Sequence, residues 1–338
     1  MDKRICQYLW RGLTIDENGR KINDIRHKTR CISKMTEPSI WNYDGSSTLQ
    51  APTENSAVHI IPVKTYKHPD KTLRDKEAIL VLCKTSLPND TIAMTMENLK
   101  NNNDNLMIGF ELECFMIDKL TNLPLGIKEI QSSDHYCGTS NIIDTRIQSY
   151  LNEVCMNGLE MGLNITGHNI EVAYGQIEFQ ICDFALDACH DLEVLKYLMS
   201  YIGNKPEYNV YINYNCKPLG ANHNGSGMHT NFSTKEMRNL NDMNLTKSLV
   251  EKLGEHHEEA MKIYGFDNEL RLTGKHETSS FYKFTYAVGS RSSSVRLQTK
   301  YDKNTNEIIE DATYAEDRRP NPTADQYLIV DHIYRYIC

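Results

Sequence analysis

The 338 residues of this chain are 40% hydrophobic and 24% charged, a globular balance with room for one large domain or two modest ones and a substantial core. A net charge of −8 argues against a nucleic-acid partner and leaves a cationic substrate open. Ten scattered cysteines without a Cys-x-x-Cys pair read as reduced thiols of a cytoplasmic protein rather than a disulfide framework; the opening MDKRICQYLWRG lacks a signal peptide's apolar run, and no stretch approaches the ~20 apolar residues of a membrane helix.

Taken in chain order, turn-forming stretches at 16–19, 44–47 and 68–70 separate short β-rich runs such as 59–63 and 78–83. Residues 1–88 therefore predict a small sheet with little helix. A polar stretch follows: Ser86-Leu-Pro-Asn-Asp, a helically spaced segment to Lys100 and the asparagine-rich 101–105. It reads as a connector into a larger domain, 89–338. There the pattern predicts a strand over 106–116, a helix over 144–161, a strand pair over 168–181, a helix over 185–202, a strand over 226–232 and a helix over 240–264, several preceded by acidic or small cap residues. The fold class expected is α+β in two domains, 1–88 and 89–338.

Chemistry concentrates in the second domain. Glu111 and Glu113 lie two apart, so a strand aims both carboxylates at one face while Phe110, Leu112 and Cys114 pack behind it. Two such charges repel unless a cation sits between them or one is protonated; alone, the pair fits a solvated strand face equally well. Glu171 and Glu178 flank Tyr174-Gly175, which suits a hairpin turn, and Glu178 shares a face with Gln180. In Asn224-Gly225-Ser-Gly-Met-His229-Thr-Asn231-Phe-Ser233, glycines permit close ligand approach, and His229, Asn231 and Ser233 alternate on one side. A single histidine is by itself more often a core residue than a ligand. Carboxylates with one imidazole suit Mg²⁺ or Mn²⁺, where thiolates would point to zinc. Arg271, Arg291, Arg296, Arg318 and Arg319 add guanidinium forks that bind phosphate or carboxylate; each alone is equally a surface ion pair. Carboxylate metal ligands beside arginines are the apparatus of phosphoryl transfer, although neither a P-loop nor a Gly-x-Gly-x-x-Gly motif is present.

The ordered set of motifs carries a family resemblance. Trp41-Asn-Tyr-Asp44-Gly-Ser-Ser-Thr-Leu-Gln50, Glu111-x-Glu113, Tyr136-Cys-Gly138, Glu171 with Glu178-Phe-Gln, Asn224 to Lys235, Arg271-Leu-Thr-Gly-Lys-His276-Glu277, Arg291 to Arg296 and Glu316-Asp-Arg-Arg-Pro320 run in one sequence order over nearly the whole chain. In these the chain resembles glutamine synthetases of the short, eukaryotic-type class. The resemblance implies a small β-grasp-like domain followed by a catalytic domain of the ATP-guanido-kinase-like kind with a curved antiparallel sheet. It implies ligation of ammonium to L-glutamate with ATP as co-substrate, through γ-glutamyl phosphate. It also implies two or three Mg²⁺ or Mn²⁺ ions per site, one held by Glu113, Glu171 and Glu178 and a second by Glu111, His229 and Glu316.

The same resemblance places Asn224, Gly225, Arg271 and Arg318 on glutamate, with Arg291 and Arg296 on the transferred phosphate. Asn231, Ser233 and Tyr314 fall on the nucleotide, as does Glu178 through its metal. Asp44 takes a proton from ammonium, and Glu277 closes the site as a lid, which suits an intermediate that water would hydrolyse. Read alone, Asp44-Gly45 is a tight turn. In the family the Asp44 loop comes from a neighbouring subunit, which implies a homo-oligomer, a decamer of two pentameric rings, with no nucleic-acid or membrane partner. The chain departs from the family in a shortened loop between Leu125 and Tyr136, in Lys275 at an aromatic position, and in Gln298-Thr299-Lys300 after the phosphate arginines. Two other functions fit the same residues: a γ-glutamyl ligase for a different amine, and a catalytically silent structural relative. The latter predicts an eroded ligand set, and all six ligands are in place.

Overall fold

The computed structural model describes residues 2–16, 18–101, 105–127, 135–138, 144–220 and 222–338. The asparagine-rich connector and the shortened loop before Tyr136 lie partly outside them. The chain forms two compact units, Met1–Glu97 with Asn157–Leu163, and Asn98–Met156 with Asn164–Cys338. Strands and helices mix in the α+β manner that the sequence predicts.

In the first unit, β1 (Lys3–Ile15) and β2 (Lys21–Ser33) form a long antiparallel hairpin. Asp16 closes it by accepting from the Arg20 N–H at 2.7 Å. β3 (Trp41–Asp44), β4 (Ala57–Lys67) and β5 (Ile79–Thr85) complete a sheet of order β2-β1-β5-β4-β3, in which β1 and β5 run parallel. Alternation along β1 buries Cys6, Tyr8 and Trp10 among Tyr43, Val58, Ile60, Val81 and Cys83. Short helices α1 (Lys71–Arg74) and α2 (Thr91–Asn98) follow β4 and β5.

The second unit is built on an eight-stranded sheet. Its elements are β6 (Leu106–Asp118), α3 (Thr145–Met161, whose end from Asn157 belongs to the first unit), β7 (Ile165–Ile170), β8 (Gln176–Phe184), α4 (Ala185–Gly203), β9 (Val210–Asn213), β10 (Met228–Thr234), α5 (Lys235–Leu240), α6 (Met243–Glu255), α7 (His257–Ile263), α8 (Asn268–Arg271), β11 (Tyr286–Val288), β12 (Val295–Asp302), β13 (Glu307–Asp317) and α9 (Gln326–Ile337). The strand order is β11-β12-β13-β10-β6-β8-β7, with β9 paired to the far half of β6. Phe110, Leu112, Cys114, Phe179 and Phe232 are buried, and α4 packs against β6, β8 and β9. Fully burying each of these large apolar side chains contributes about 1.5–3 kcal/mol.

Two sequence expectations need correction. The helix over 240–264 is two helices, α6 and α7, preceded by the last residue of α5. Leu240 ends α5, Asn241 turns left-handed at φ 47°, and Asp242 caps α6 by accepting from the Asn244 N–H at 2.8 Å. A second break at His256 separates α6 from α7. Apolar spacing continues through both breaks, so periodicity merges them. Glu171 is not on a strand: β7 stops at Ile170, and Glu171 opens the turn that Gly175, at φ +66°, completes. The sequence assigned no elements to 265–320; β12 and β13 carry too many charged and polar residues for alternation to stand out.

Candidate active site

Strand register assembles the site. β6 runs antiparallel between β10 and β8, setting Glu111 opposite His229 and Gln180, and Glu113 opposite Glu178. β13 beside β10 sets Glu316 opposite Asn231, and β12 sets Arg296 opposite Glu316. Directly opposed residues share a face, so these side chains form one polar patch while Phe110, Leu112 and Phe179 occupy the reverse. A one-residue slip would drive the carboxylates into the apolar layer, and that layer's burial is what fixes the register against their repulsion.

At the centre is the imidazole of His229. Its Nδ1 lies 3.5 Å from Glu111 Oε2, 3.7 Å from Glu113 Oε1 and 3.5 Å from Glu316 Oε1, longer than a normal hydrogen bond. Among the described residues, Glu111, His229 and Glu316 are the group whose ligand atoms all lie within 4.8 Å of one another. Burial first, then the charge of Arg318, push the His229 pKa well down, so the ring is neutral and offers a lone pair.

The second carboxylate set is Glu113, Glu171 and Glu178. Glu113 is raised well above the usual carboxylate range by burial and by Glu171 and Glu178. Burial and Glu111 push Glu178 up to about 8, and burial raises Glu171. Neutral donors hold all three in place: Glu113 Oε2 accepts from the Gly227 N–H at 2.9 Å and Gln176 Nε2 at 3.1 Å, Glu171 from Asn169 Nδ2 at 2.8 Å, and Glu178 from Gln180 Nε2 at 2.7 Å. The charge of Arg271 offsets the rise at Glu113 only in part; carboxylates that raise one another, held by neutral donors and joined by a neutral imidazole, are the hard donor set that Mg²⁺ or Mn²⁺ takes, and the residues present fit such a cation. Gln176 was missed in the sequence, although it continues the alternation of Glu178 and Gln180.

The loop before His229 tolerates no side chains at its glycines. A Cβ on Gly225 would sit 2.4 Å from the Cys216 carbonyl oxygen, and one on Gly227 2.5 Å from His229 Nε2. Asn224 stands half-buried beside Gly225. The arginines divide between patch and framework. Arg318 Nη1 pairs with Glu316, Arg296 Nη1 reaches the other Glu316 oxygen at 3.3 Å, and Arg318 Nε donates to the Arg291 carbonyl at 3.1 Å. Arg271 is buried and donates Nη2 to the carbonyls of Arg318, Arg319 and Pro320 at 2.7–3.0 Å, bracing the segment that carries Glu316.

A cavity of about 330 Å³ opens beside the patch, lined by Glu111, Asn231, Ser233 and Tyr314, with Gly109, Thr166 and Arg238 among its walls. The three residues expected to meet a nucleotide thus share one hollow with an expected metal ligand; Thr166 and Arg238 carried no signal in the sequence. Glu277 lies on a loop whose carbonyl at that residue accepts from Arg318 Nη2 at 3.3 Å. Asp44 belongs to the first unit and is exposed. Its carboxylate caps a 3-10 turn and accepts from the hydroxyls of Ser46 and Ser47, each at 2.7 Å. Hydrogen bonds from Ser47, Ser46 and Ser56 lower its pKa to about 2.

Residues 87–262 match the family model for the glutamine synthetase catalytic domain. A putative glutamine synthetase of Acanthamoeba polyphaga mimivirus is 36% identical over 99% of this chain and 94% of its own length. The chain belongs to the glutamine synthetase family. Other glutamine synthetases agree: the enzyme of Panulirus argus and the cytosolic isozyme 1-1 of Oryza sativa subsp. japonica are each 33% identical, over 98% of this chain and 93% of theirs. A cryoEM structure of Plasmodium falciparum glutamine synthetase superposes with a TM-score of 0.73 at 20% identity, over 99% of this chain and 72% of that one, and so shares the fold. No helix among the described residues is long and apolar enough to cross a membrane.

Proposed function

We propose that the protein joins ammonium to the γ-carboxylate of L-glutamate at the expense of ATP, through γ-glutamyl phosphate. The observation that supports this best is the shared sheet face, where carboxylates and one neutral imidazole adjoin both a nucleotide-sized cavity and the Arg296–Glu316–Arg318 cluster. Glu113, Glu171 and Glu178 would hold one Mg²⁺ or Mn²⁺, and Glu111, His229 and Glu316 another; such cations neutralise phosphate oxygens during transfer.

The protein's own groups do the rest. Asn231, Ser233 and Tyr314 bind the nucleotide, Tyr314 offering its ring to the base. Arg291 and Arg296 steady the phosphate in flight, guanidiniums being charged at any relevant pH. Asn224, Gly225 and Arg318 orient glutamate, and Arg271 holds the backbone from which Arg318 projects. Glu277 excludes water from the acyl phosphate. Asp44, ionised and exposed, accepts the ammonium proton; its place on an exposed turn supports delivery from a neighbouring subunit of a homo-oligomer, a decamer of two pentameric rings. The domain limits are 1–88, β-grasp-like, and 89–338, catalytic, and the setting is cytoplasmic.

The purified protein given ATP, Mg²⁺, L-glutamate and NH₄⁺ is expected to form glutamine and phosphate in equal amounts. Failure to form glutamine at saturating substrates, or faster product formation with another primary amine than with NH₄⁺, would overturn this reading.

A further inference from the structure

The end of β13 and the residues just after it alternate between two jobs. Glu316 and Arg318 face the carboxylate patch, whereas Asp317 and Arg319 turn into the interior and are fully buried. Arg319 pairs with Asp317 through Nε at 2.8 Å and Nη2 at 2.7 Å, and its guanidinium lies 5.1 Å from the ring centre of Tyr264 and 5.0 Å from that of Phe284. Its remaining arm, Nη1, meets Nδ1 of His257 at 3.1 Å. On the far side of the imidazole, Nε2 meets the carbonyl of Phe281 at 2.9 Å. A guanidinium only donates, so Nδ1 must accept. The ring proton therefore sits on Nε2 and is donated to Phe281, a tautomer fixed by its partners.

Phe281 closes the loop that carries Glu277. Its N–H donates to the Leu272 carbonyl at 2.8 Å, Thr273 and Ser280 bridge, and the Gly274 N–H donates to the Ser279 carbonyl at 3.1 Å. At the tip, His276 and Glu277 have φ of 52° and 58°, a left-handed backbone that residues with side chains adopt at a cost. The tip is held from the patch side by Arg318 and the base from the interior by His257.

We infer that His257 is a positioning residue: its Nε2–H latches the base of the Glu277 loop to the buried Asp317–Arg319 pair, so that the segment carrying Glu316 and Arg318 and the lid above it move as one. This rests on the glutamine-forming reading. Without the latch the lid opens during turnover. Water then attacks the γ-carbonyl carbon of γ-glutamyl phosphate, the bond from that carbon to the phosphate oxygen breaks, and glutamate and phosphate are released with a proton to solvent.

The test compares wild type with H257Q, H257N and H257A, the alanine variant serving as a second loss of the latch. A glutamine amide reaches the Nε2 position and donates to Phe281, whereas an asparagine amide reproduces only the Nδ1 acceptor. Phosphate and glutamine are measured together with ATP, Mg²⁺, L-glutamate and NH₄⁺, and tryptic cleavage after the exposed Lys275 is followed separately without substrates. H257N and H257A are expected to release about two or more phosphates per glutamine and to be cut several-fold faster, with H257Q close to wild type in both. One-to-one coupling with unchanged cleavage in H257N and H257A, or an H257Q as loose as H257A, would overturn the latch. A wild type that forms no glutamine overturns the reaction reading instead, and the tryptic comparison then decides the latch.

Discussion

Replacing Glu113 with glutamine is expected to lower glutamine formation by at least about 10³-fold, because several kcal/mol of charge neutralisation at the phosphate depend on its cation, and at the same time to raise the melting temperature of the metal-free protein. The two effects have one cause. Glu113 is buried, and its charge is opposed by Glu171 and Glu178. Glutamine keeps an oxygen to accept from the Gly227 N–H and Gln176 Nε2, so the change removes the charge and spares the hydrogen bonds. Each kcal/mol of relieved repulsion is expected to add about 2–4 °C.

The pH dependence follows in sign. A carboxyl whose folded pKa exceeds its unfolded value stabilises the protein below the unfolded pKa and loses that contribution as pH rises through the folded one. For Glu178 the window runs from 4.5 to about 8. Metal-free stability should fall across it, and added Mg²⁺ should flatten the decline in the wild type more than in E113Q. Thermal melts with and without Mg²⁺ between those limits measure both effects. An E113Q protein that melts below the metal-free wild type would contradict the assignment.

Removal of Arg319 is expected to cost more than any other single change in the framework. R319M leaves Asp317 fully buried without its guanidinium, beside two neutral donors, the Tyr264 hydroxyl at 2.9 Å and the backbone N–H of residue 319 at 3.1 Å. Breaking a buried pair by removing one partner typically costs about 3–5 kcal/mol, since the other charge stays uncompensated. The double variant D317N/R319M should recover much of that loss, because the two sites couple. Burial acts to raise the Asp317 pKa, but Arg319 and the hydrogen bonds around it leave it below its unfolded 3.8. Its stabilisation is thus complete above pH 3.8 and disappears as pH falls through the folded value. Denaturant titration at neutral pH measures the loss; an R319M midpoint equal to wild type would show that the pair contributes no net stability.

The local pattern of the patch was legible because a strand's period is two and needs no knowledge of its neighbours. It put Glu111 with Glu113, Glu178 with Gln180, and His229 with Asn231 and Ser233 before any sheet was known. Which strand lies beside which is set by contacts distant in sequence, so the opposition of Glu111 to His229 and of Glu316 to Asn231 was not visible in any one segment. The ordered motifs, not periodicity, grouped these residues beforehand. Glu171 was named by the motifs but misplaced on a strand, because a turn residue obeys no alternation. The breaks at Asn241 and His256 were hidden by an apolar spacing that continues across them. His257 gave no signal at all: its partners Arg319 and Phe281 come from a sheet end and a loop that only the folded chain brings to α7.

The central claim is that glutamate is activated by phosphoryl transfer to its γ-carboxylate at this patch. Glutamate labelled with ¹⁸O in the γ-carboxylate, incubated with the protein, ATP, Mg²⁺ and NH₄⁺, tests it most directly. An acyl phosphate passes one carboxylate oxygen to phosphate when ammonia displaces it, so labelled phosphate should appear in step with glutamine. Glutamine formed alongside unlabelled phosphate would contradict it.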